Sequence, residues 1–225
     1  MANTETTISA VIHPKYNDTP IDIEKTIKAL ERNNFVVHYF ETGTEAISYL
    51  KGRIQNKRVA IGDSRTLLKL NAYEALSEVN KDVTDIQRPL PGESFRDTAL
   101  RTMGRDVFLT SVNALAQTGE MVNIDGTGNR VAASLFGSQE VFFVLGINKI
   151  TPDLASAIYR ARNVAAPLNS KKNKKSSLNP CARLEEKCYD CGSPDRICNA
   201  LTIYYKKMRN MQTMEVIIIN ESLGF

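Results

Sequence analysis

The chain has 225 residues, 42% of them hydrophobic and 24% charged, and a net charge of +4. These proportions suit a globular protein long enough to bury a substantial core, and they exclude a disordered or fibrous chain. Much of the positive charge lies in one run without aromatics, Lys171, Lys172, Lys174 and Lys175. That run reads as a solvated loop, and it supplies no basic stripe with interleaved aromatics of the kind nucleic acid requires.

The opening stretch MANTETTISAVIHPKY lacks the basic start and apolar core of a secretory signal. No segment reaches the roughly eighteen apolar residues of a membrane span. A cytoplasmic protein is therefore expected. Thr19-Pro20-Ile21-Asp22 reads as a helix start with Thr19 as cap, and Ile23, Ile27 and Leu30 recur at helical spacing, predicting a helix over Pro20–Arg32. Phe35–Phe40 reads as a strand, Thr44–Ile54 as a helix with Ile47, Leu50 and Ile54 on one face, and Arg58–Ile61 as a short strand. That strand breaks at Gly62-Asp63-Ser64, where a further helix opens. Val83–Ile86 is a strand candidate, Pro89–Gly92 a loop and Glu93–Met103 a helix.

Asp106–Ala133 is the most informative stretch. A strand over Val107–Thr110 is followed by a turn at Thr118-Gly119, and Met121–Ile124 then leads into a knot of polar and small residues: Asn123, Asp125, Gly126, Thr127, Gly128, Asn129 and Arg130. Glycines 126 and 128 permit positive φ angles and close approach of a ligand to the backbone. Tight polar loops on a rigid scaffold are commonly sites. Val141–Leu145 is an apolar run suited to a strand covered on both faces, ending at Gly146-Ile147-Asn148-Lys149. Thr151-Pro152-Asp153 starts a helix through Ala165, Leu168–Asn179 reads as a polar connection, and Met214–Ile219 as the last strand. Met208 and Met211 read as packing residues near a helix end. His13 and His38 have no partner at ligand spacing and read as structural.

Strands alternating with helices imply an α/β fold, a mainly parallel sheet with helices on both faces, in one domain over residues 1–225. Ligands in such sheets sit beyond the carboxyl ends of strands. Gly62-Asp63-Ser64, the loop with Asn113, Asn123, Asp125 and Arg130, and Asn148-Lys149 are therefore expected to share a cavity for a small anionic metabolite. Glu120 or Asp125 would be its general base, and Lys149 or Arg130 its anion clamp. No G-x-G-x-x-G fingerprint is present, so no dinucleotide is expected.

All four cysteines fall in the segment 180–199: Cys181, Cys188, Cys191 and Cys198, spaced C-x6-C-x2-C-x6-C. A C-x2-C pair flanked by two further thiols can supply four thiolates to zinc or to an iron–sulfur cluster, and a redox disulfide pair remains an alternative. Arg183, Lys187 and Arg196 are expected to lower the thiol pKa values.

The blocks FLTSVNAL, TGEMVNIDGTGNRVAA, GINKI, RARNVAAPLN, PCARLEEKCYDCGSPDRICN and NESLGF resemble the lactate-utilisation (LUD) domain family. The resemblance runs from about Pro20 to Phe225, and Asp63 departs from it where a small residue is expected. It implies the fold shared by ribose-5-phosphate isomerase, glucosamine-6-phosphate deaminase and CoA transferases. It also implies a component of L-lactate oxidation to pyruvate, with iron–sulfur subunits as partners. Ser111-Val112-Asn113, Thr118-Gly119-Glu120 and Asn123–Thr127 are similar, more distantly, to methylthioribose-1-phosphate isomerase. Asn113 replaces that family's catalytic aspartate, and an amide cannot abstract a sugar proton as a carboxylate does. A free-standing isomerase- or transferase-like enzyme on a phosphorylated or acyl metabolite, and a cysteine-based metal or redox sensor, are the alternatives.

Overall fold

The structure is a computed structural model that describes residues 20–173, 176–184 and 187–225. Thr19, His13, Lys174 and Lys175, singled out above, lie outside the described residues. The first described helix, α1 (Ile23–Arg32), starts three residues later than its sequence pattern suggests. Asp22 is its cap, accepting the Lys25 N–H at 2.9 Å, while the Asp22 carbonyl receives the Thr26 hydroxyl.

From there the chain alternates: β1 (Val36–Phe40), α2 (Gly43–Arg53), β2 (Arg58–Ile61), α3 (Arg65–Lys69), α4 (Ala72–Ser77), β3 (Asp82–Asp85), α5 (Phe95–Arg101) and β4 (Val107–Thr110). Two strands, β5 (Ala114–Ala116) and β6 (Met121–Asp125), and helix α6 (Asn129–Leu135) precede β7 (Glu140–Gly146). After the two-residue β8 (Ile150–Thr151), α7 (Leu154–Arg160) passes through a π-helical turn at Ala161–Ala165 into α8 (Ala166–Lys172). Helix α9 (Pro180–Leu184), β9 (Ala200–Tyr204) and β10 (Thr213–Ile219) complete the described elements. The structure corrects the sequence pattern in several places. Leu168–Lys172 belongs to a helix rather than a polar connection, β5, α6, β8, α9 and β9 have no counterpart among the expected elements, and the stretch from Met208 to Met214 leads into a strand rather than flanking a helix end.

Six strands form a wholly parallel sheet in the order β1-β10-β7-β4-β2-β3. Its two faces follow from the two-residue period of a strand. Phe142 and Val144 of β7, with Ile217 and Ile219 of β10, pack under α2, α3 and α4 through Leu50, Leu67 and Leu76. Phe143, Leu145, Val216 and Ile218 face the opposite layer, where Leu30 of α1 and Ala133 of α6 meet them. A second sheet, β8-β5-β6-β9, mixes parallel and antiparallel pairs and covers part of that layer through Leu115, Met121 and Tyr204. The fold is thus α/β, with helices on both faces and a mixed smaller sheet. Among the described residues no helix is long and apolar enough to cross a membrane.

Toward the amino ends of the central strands, two buried carboxylates, Glu140 and Glu215, interrupt the apolar α2 face. Arg53 answers both, with Nε donating to Glu215 at 3.0 Å and Nη2 to Glu140 at 2.5 Å. Tyr49 and His38 complete the group: the Tyr49 hydroxyl donates to Glu215 at 2.8 Å and lies 2.7 Å from His38 Nε2. A buried carboxylate is tolerable only with this kind of company.

Phe142 is fully buried at the centre of the parallel sheet and also lies beneath the Arg53 guanidinium. Its replacement by alanine should therefore cost about 3–5 kcal/mol. The expected reading is a lower denaturant midpoint with an unchanged slope.

Candidate functional site

Adjacent strands β2, β4 and β7 point the same way, so their carboxyl ends open onto one edge of the sheet. Past β2 lie Asp63, Ser64 and Arg65; past β4, Ser111, Val112 and Asn113; past β7, a single 3-10 turn that carries Lys149. These segments border a cavity of about 190 Å³, large enough for a metabolite of a few carbons. The loop from Asp125 to Arg130 forms a second wall, and Phe95, Ala166, Asn169 and Ile197 contribute to the rest. Of the residues singled out from sequence, Asp63, Ser64, Asn113, Asp125, Gly126, Thr127, Asn129, Arg130 and Lys149 meet here.

Four others do not border it. Glu120 sits at the β5–β6 turn, with Thr118 donating to its carboxylate. Five residues of extended chain separate it from Asp125, roughly 17 Å, which removes it as a base for this cavity. Gly62 is a packing requirement: a Cβ there would come 2.8 Å from the Phe108 ring. Asn123 is fully buried and accepts the Asn113 N–H at 3.0 Å. Asn148 anchors the segment after β10, accepting the Leu223 N–H on its side-chain oxygen at 3.0 Å.

Asp125 borders the cavity, yet both its oxygens are engaged in holding the loop. Oδ1 accepts from Gly128 at 3.3 Å and Oδ2 from Val131 at 3.2 Å, with Arg130 Nε 3.7 Å away. The carboxylate therefore organises the entry into α6, a role closer to a helix cap than to a free base. Gly128 adopts φ +87 immediately before that helix. Arg130 is aimed by Ile124 and Asn113, whose oxygens accept from its Nη2 at 2.6 and 3.3 Å. Ser64 spends its hydroxyl on the first turn of α3, accepting the Leu67 N–H at 3.2 Å. Asp63 is exposed and accepts from Gln87 at 2.7 Å.

Lys149 is the buried cation of the site, only 4% exposed. Its Nζ lies 3.0 Å from the Thr66 hydroxyl, 2.9 Å from the Ser111 hydroxyl and 3.1 Å from the Val112 carbonyl. Among the described residues no carboxylate reaches salt-bridge distance of it. Burial first, and then the charges of Arg160 and Arg130, hold its pKa well below the usual lysine range. Sequence reasoning missed Thr66 and Arg160, and it reached Ser111 only within the block that resembles the isomerase family. Arg160 joins the β4 and β7 ends by donating to the carbonyls of Asn113 and Asn148. No spacing pattern distinguishes that arginine from an ordinary helix-terminal one.

All four cysteines are free thiols and border one smaller cavity together with Arg162, Ser170, Asn179 and Arg196. Three asparagines fix this segment. Asn163 accepts the Cys188 N–H at 3.1 Å, Asn179 donates to Ser170 and to the Asp195 carbonyl, each at 3.2 Å, and Asn199 donates to the Gly126 carbonyl at 3.0 Å. Arg196 donates to the carbonyls of Cys191 and Cys198, while its buried Nε has no acceptor among the described residues. The expected lowering of thiol pKa values is not what Cys181 experiences: burial pushes that thiol up, and the other three thiols add to the rise. Among the described residues no three His, Cys, Asp or Glu side chains are already gathered to hold a metal ion. Ala166 and Ile197 border both cavities, and Gly126 lies so close to the Ile197 backbone that an added Cβ would come within 3.1 Å of it.

Fold and site define a class: an α/β protein with a polar, cation-bearing cavity at the carboxyl ends of its parallel strands. The family model of the LUD domain matches residues 23–219, and the chain belongs to the LUD domain family. This membership supports a role connected with lactate utilisation. No curated protein matches the chain. Among solved structures, a DUF162 family protein from Deinococcus radiodurans is similar over 89% of this chain and 99% of its own length, with 12% identity and a TM-score of 0.49.

The Asn199 amide bond to Gly126 ties the cysteine segment to the cavity loop. Asn199→Ala should leave the global melting temperature within a few degrees. It should also make trypsin cleave after Arg196 several-fold faster, a change followed by timed mass spectrometry. Unchanged cleavage would show that this tie does not hold the segment.

Proposed function

We propose that this chain is a component of L-lactate oxidation to pyruvate that binds a small carboxylate in the cavity at the ends of β2, β4 and β7. The supporting observation is the charge arrangement. Arg65, Arg130 and Lys149 border the cavity, Asp125 is committed to its loop, and Lys149 has no carboxylate beside it among the described residues. An anion entering this space meets permanent guanidinium charge in a partly desolvated setting, where charge-assisted hydrogen bonds are strongest. The iron–sulfur subunits implied by the family resemblance would carry the electrons, with this domain presenting or sensing the metabolite.

We further propose that Cys181, Cys188, Cys191 and Cys198 hold one metal group, zinc or an iron–sulfur cluster. Four soft sulfur donors on one cavity, and an Arg196 Nε without an acceptor among the described residues, suit thiolate ligation. Closing the thiols around a metal would tighten the segment that carries Ile197, and an iron–sulfur cluster would also supply one-electron chemistry.

Titration calorimetry with L-lactate and with pyruvate tests the cavity. Arg65→Met, at an exposed position, should weaken binding by about tenfold or more, a loss of about 1.4 kcal/mol, without lowering the melting temperature. Glu120→Gln should bind as the unchanged protein does. Absence of binding heat with any small carboxylate would sink the reading.

For the thiols, metal analysis and absorption spectra of protein prepared without oxygen should give one zinc or one iron–sulfur cluster per chain. Cys188→Ser should lose it. Metal-free protein with four titratable thiols under those conditions would overturn the assignment.

A further inference from the structure

Three neighbouring oxygens hold Lys149 Nζ at the cavity wall. The Thr66 hydroxyl donates to the Leu223 carbonyl at 3.2 Å, so its oxygen is left to accept from Nζ at 3.0 Å. The Val112 carbonyl can only accept, at 3.1 Å. Ser111 Oγ, at 2.9 Å, can do either. An ammonium gives three N–H bonds to these oxygens, whereas a neutral amine gives two and keeps a lone pair, which Ser111 can meet by turning its hydroxyl. Among the described residues no carboxylate lies within salt-bridge distance of Nζ. Burial first, and then the charges of Arg160 and Arg130, oppose its protonation. A satisfied neutral amine on the wall of a polar cavity is a nucleophile.

We propose that Lys149 forms an imine with a small carbonyl compound that also carries an anionic group, a 2-oxo acid being the member that fits the reading above. The assignment rests on that reading, because the guanidinium groups of Arg65 and Arg130 would receive the anionic group while the amine meets the carbonyl carbon. In the addition step the nitrogen lone pair forms the C–N bond, and the carbonyl oxygen gains a proton to give a carbinolamine. In the second step the C–O bond breaks and water leaves, the nitrogen giving up its remaining proton to yield C=N. One carbonyl and one amine become one imine and one water, with no oxidant or reductant consumed. Ser111, within bonding distance of Nζ, is placed to pass the proton between nitrogen and oxygen. The cavity of about 190 Å³ admits a ligand of this size.

The full chain, incubated with pyruvate and sodium cyanoborohydride at neutral pH, should gain the mass of one pyruvate plus two hydrogens less one water. Peptide mapping should place it on Lys149 ahead of the many surface lysines. A parallel arm with ribose 5-phosphate tells a 2-oxo acid from a sugar phosphate, and an adduct at Lys149 in either arm supports the amine chemistry. Labelling spread over surface lysines, unchanged in Lys149→Arg, overturns it. Mapping of the unsubstituted protein keeps the test decisive even if that variant fails to fold. L-lactate has the carboxylate without the carbonyl, so calorimetry with it separates the two ideas. Lactate binding without pyruvate trapping ends the imine and leaves the anion cavity standing, whereas an adduct without lactate affinity supports the imine alone and counts against the anion reading.

Discussion

Phe142 and Val144 of β7 face one layer of helices while Phe143 and Leu145 face the other, so this strand has no side chain to offer solvent until it ends at Gly146. The same two-sided burial holds for its neighbours. A parallel sheet covered in this way can carry polar chemistry only at its strand ends, where the chain turns and backbone groups lose their ladder partners. The side-by-side ends of β2, β4 and β7 form such an opening, and the Asp125–Arg130 loop, Ala166 and Asn169 wall it. The amino ends handle their polarity differently, by closing Arg53, Glu140 and Glu215 into a buried group with Tyr49.

The smaller sheet and the cysteine segment turn that opening into a cavity. Strand β6 delivers the loop with Asp125 and Arg130, and β9 pairs with β6 through the register Asp125–Ala200. The residues just before β9 are thereby laid across the loop: Asn199 bonds Gly126 and Ile197 borders both cavities. The thiols and the cation-bearing cavity are therefore neighbours by construction, through a strand pairing with no chemical role of its own.

Charge within the cavity is deliberately unequal in its commitments. Arg130 is aimed by backbone and amide oxygens, and Asp125 accepts two backbone N–H groups, so both hold the loop as they border the cavity. Among the described residues Lys149 is held by neutral oxygens, which satisfy its hydrogen bonds without an opposite charge at salt-bridge distance. That difference separates a structural ion pair from a group available for chemistry.

The central strands were legible from sequence because continuous apolar runs such as Val141–Leu145 and Met214–Ile219 have no other stable destination. The helix start at Ser64 was legible because its hydroxyl is needed by the Leu67 N–H. The convergence of Asp63, Asn113, Arg130 and Lys149 followed from parallel topology. By contrast, Glu120 and Asp125 lie in one motif and look equivalent as carboxylates. Only the strand length between them shows that one faces a turn and the other a cavity. Helix α6 and strand β9 escaped notice because short elements draw their stability from packing against β6 rather than from local propensity. Thr66, Ser111 and Arg160 are ordinary residues in the chain. They surround Lys149, or brace the ends that carry it, because the register of β2, β4 and β7 brings distant segments together. The sequence by itself determined which strands are buried and which segments end in polar chemistry, since both depend on local pattern. The state of each polar group was decided by tertiary structure, because neighbours from far along the chain determine whether a charge is paired, capped or left alone.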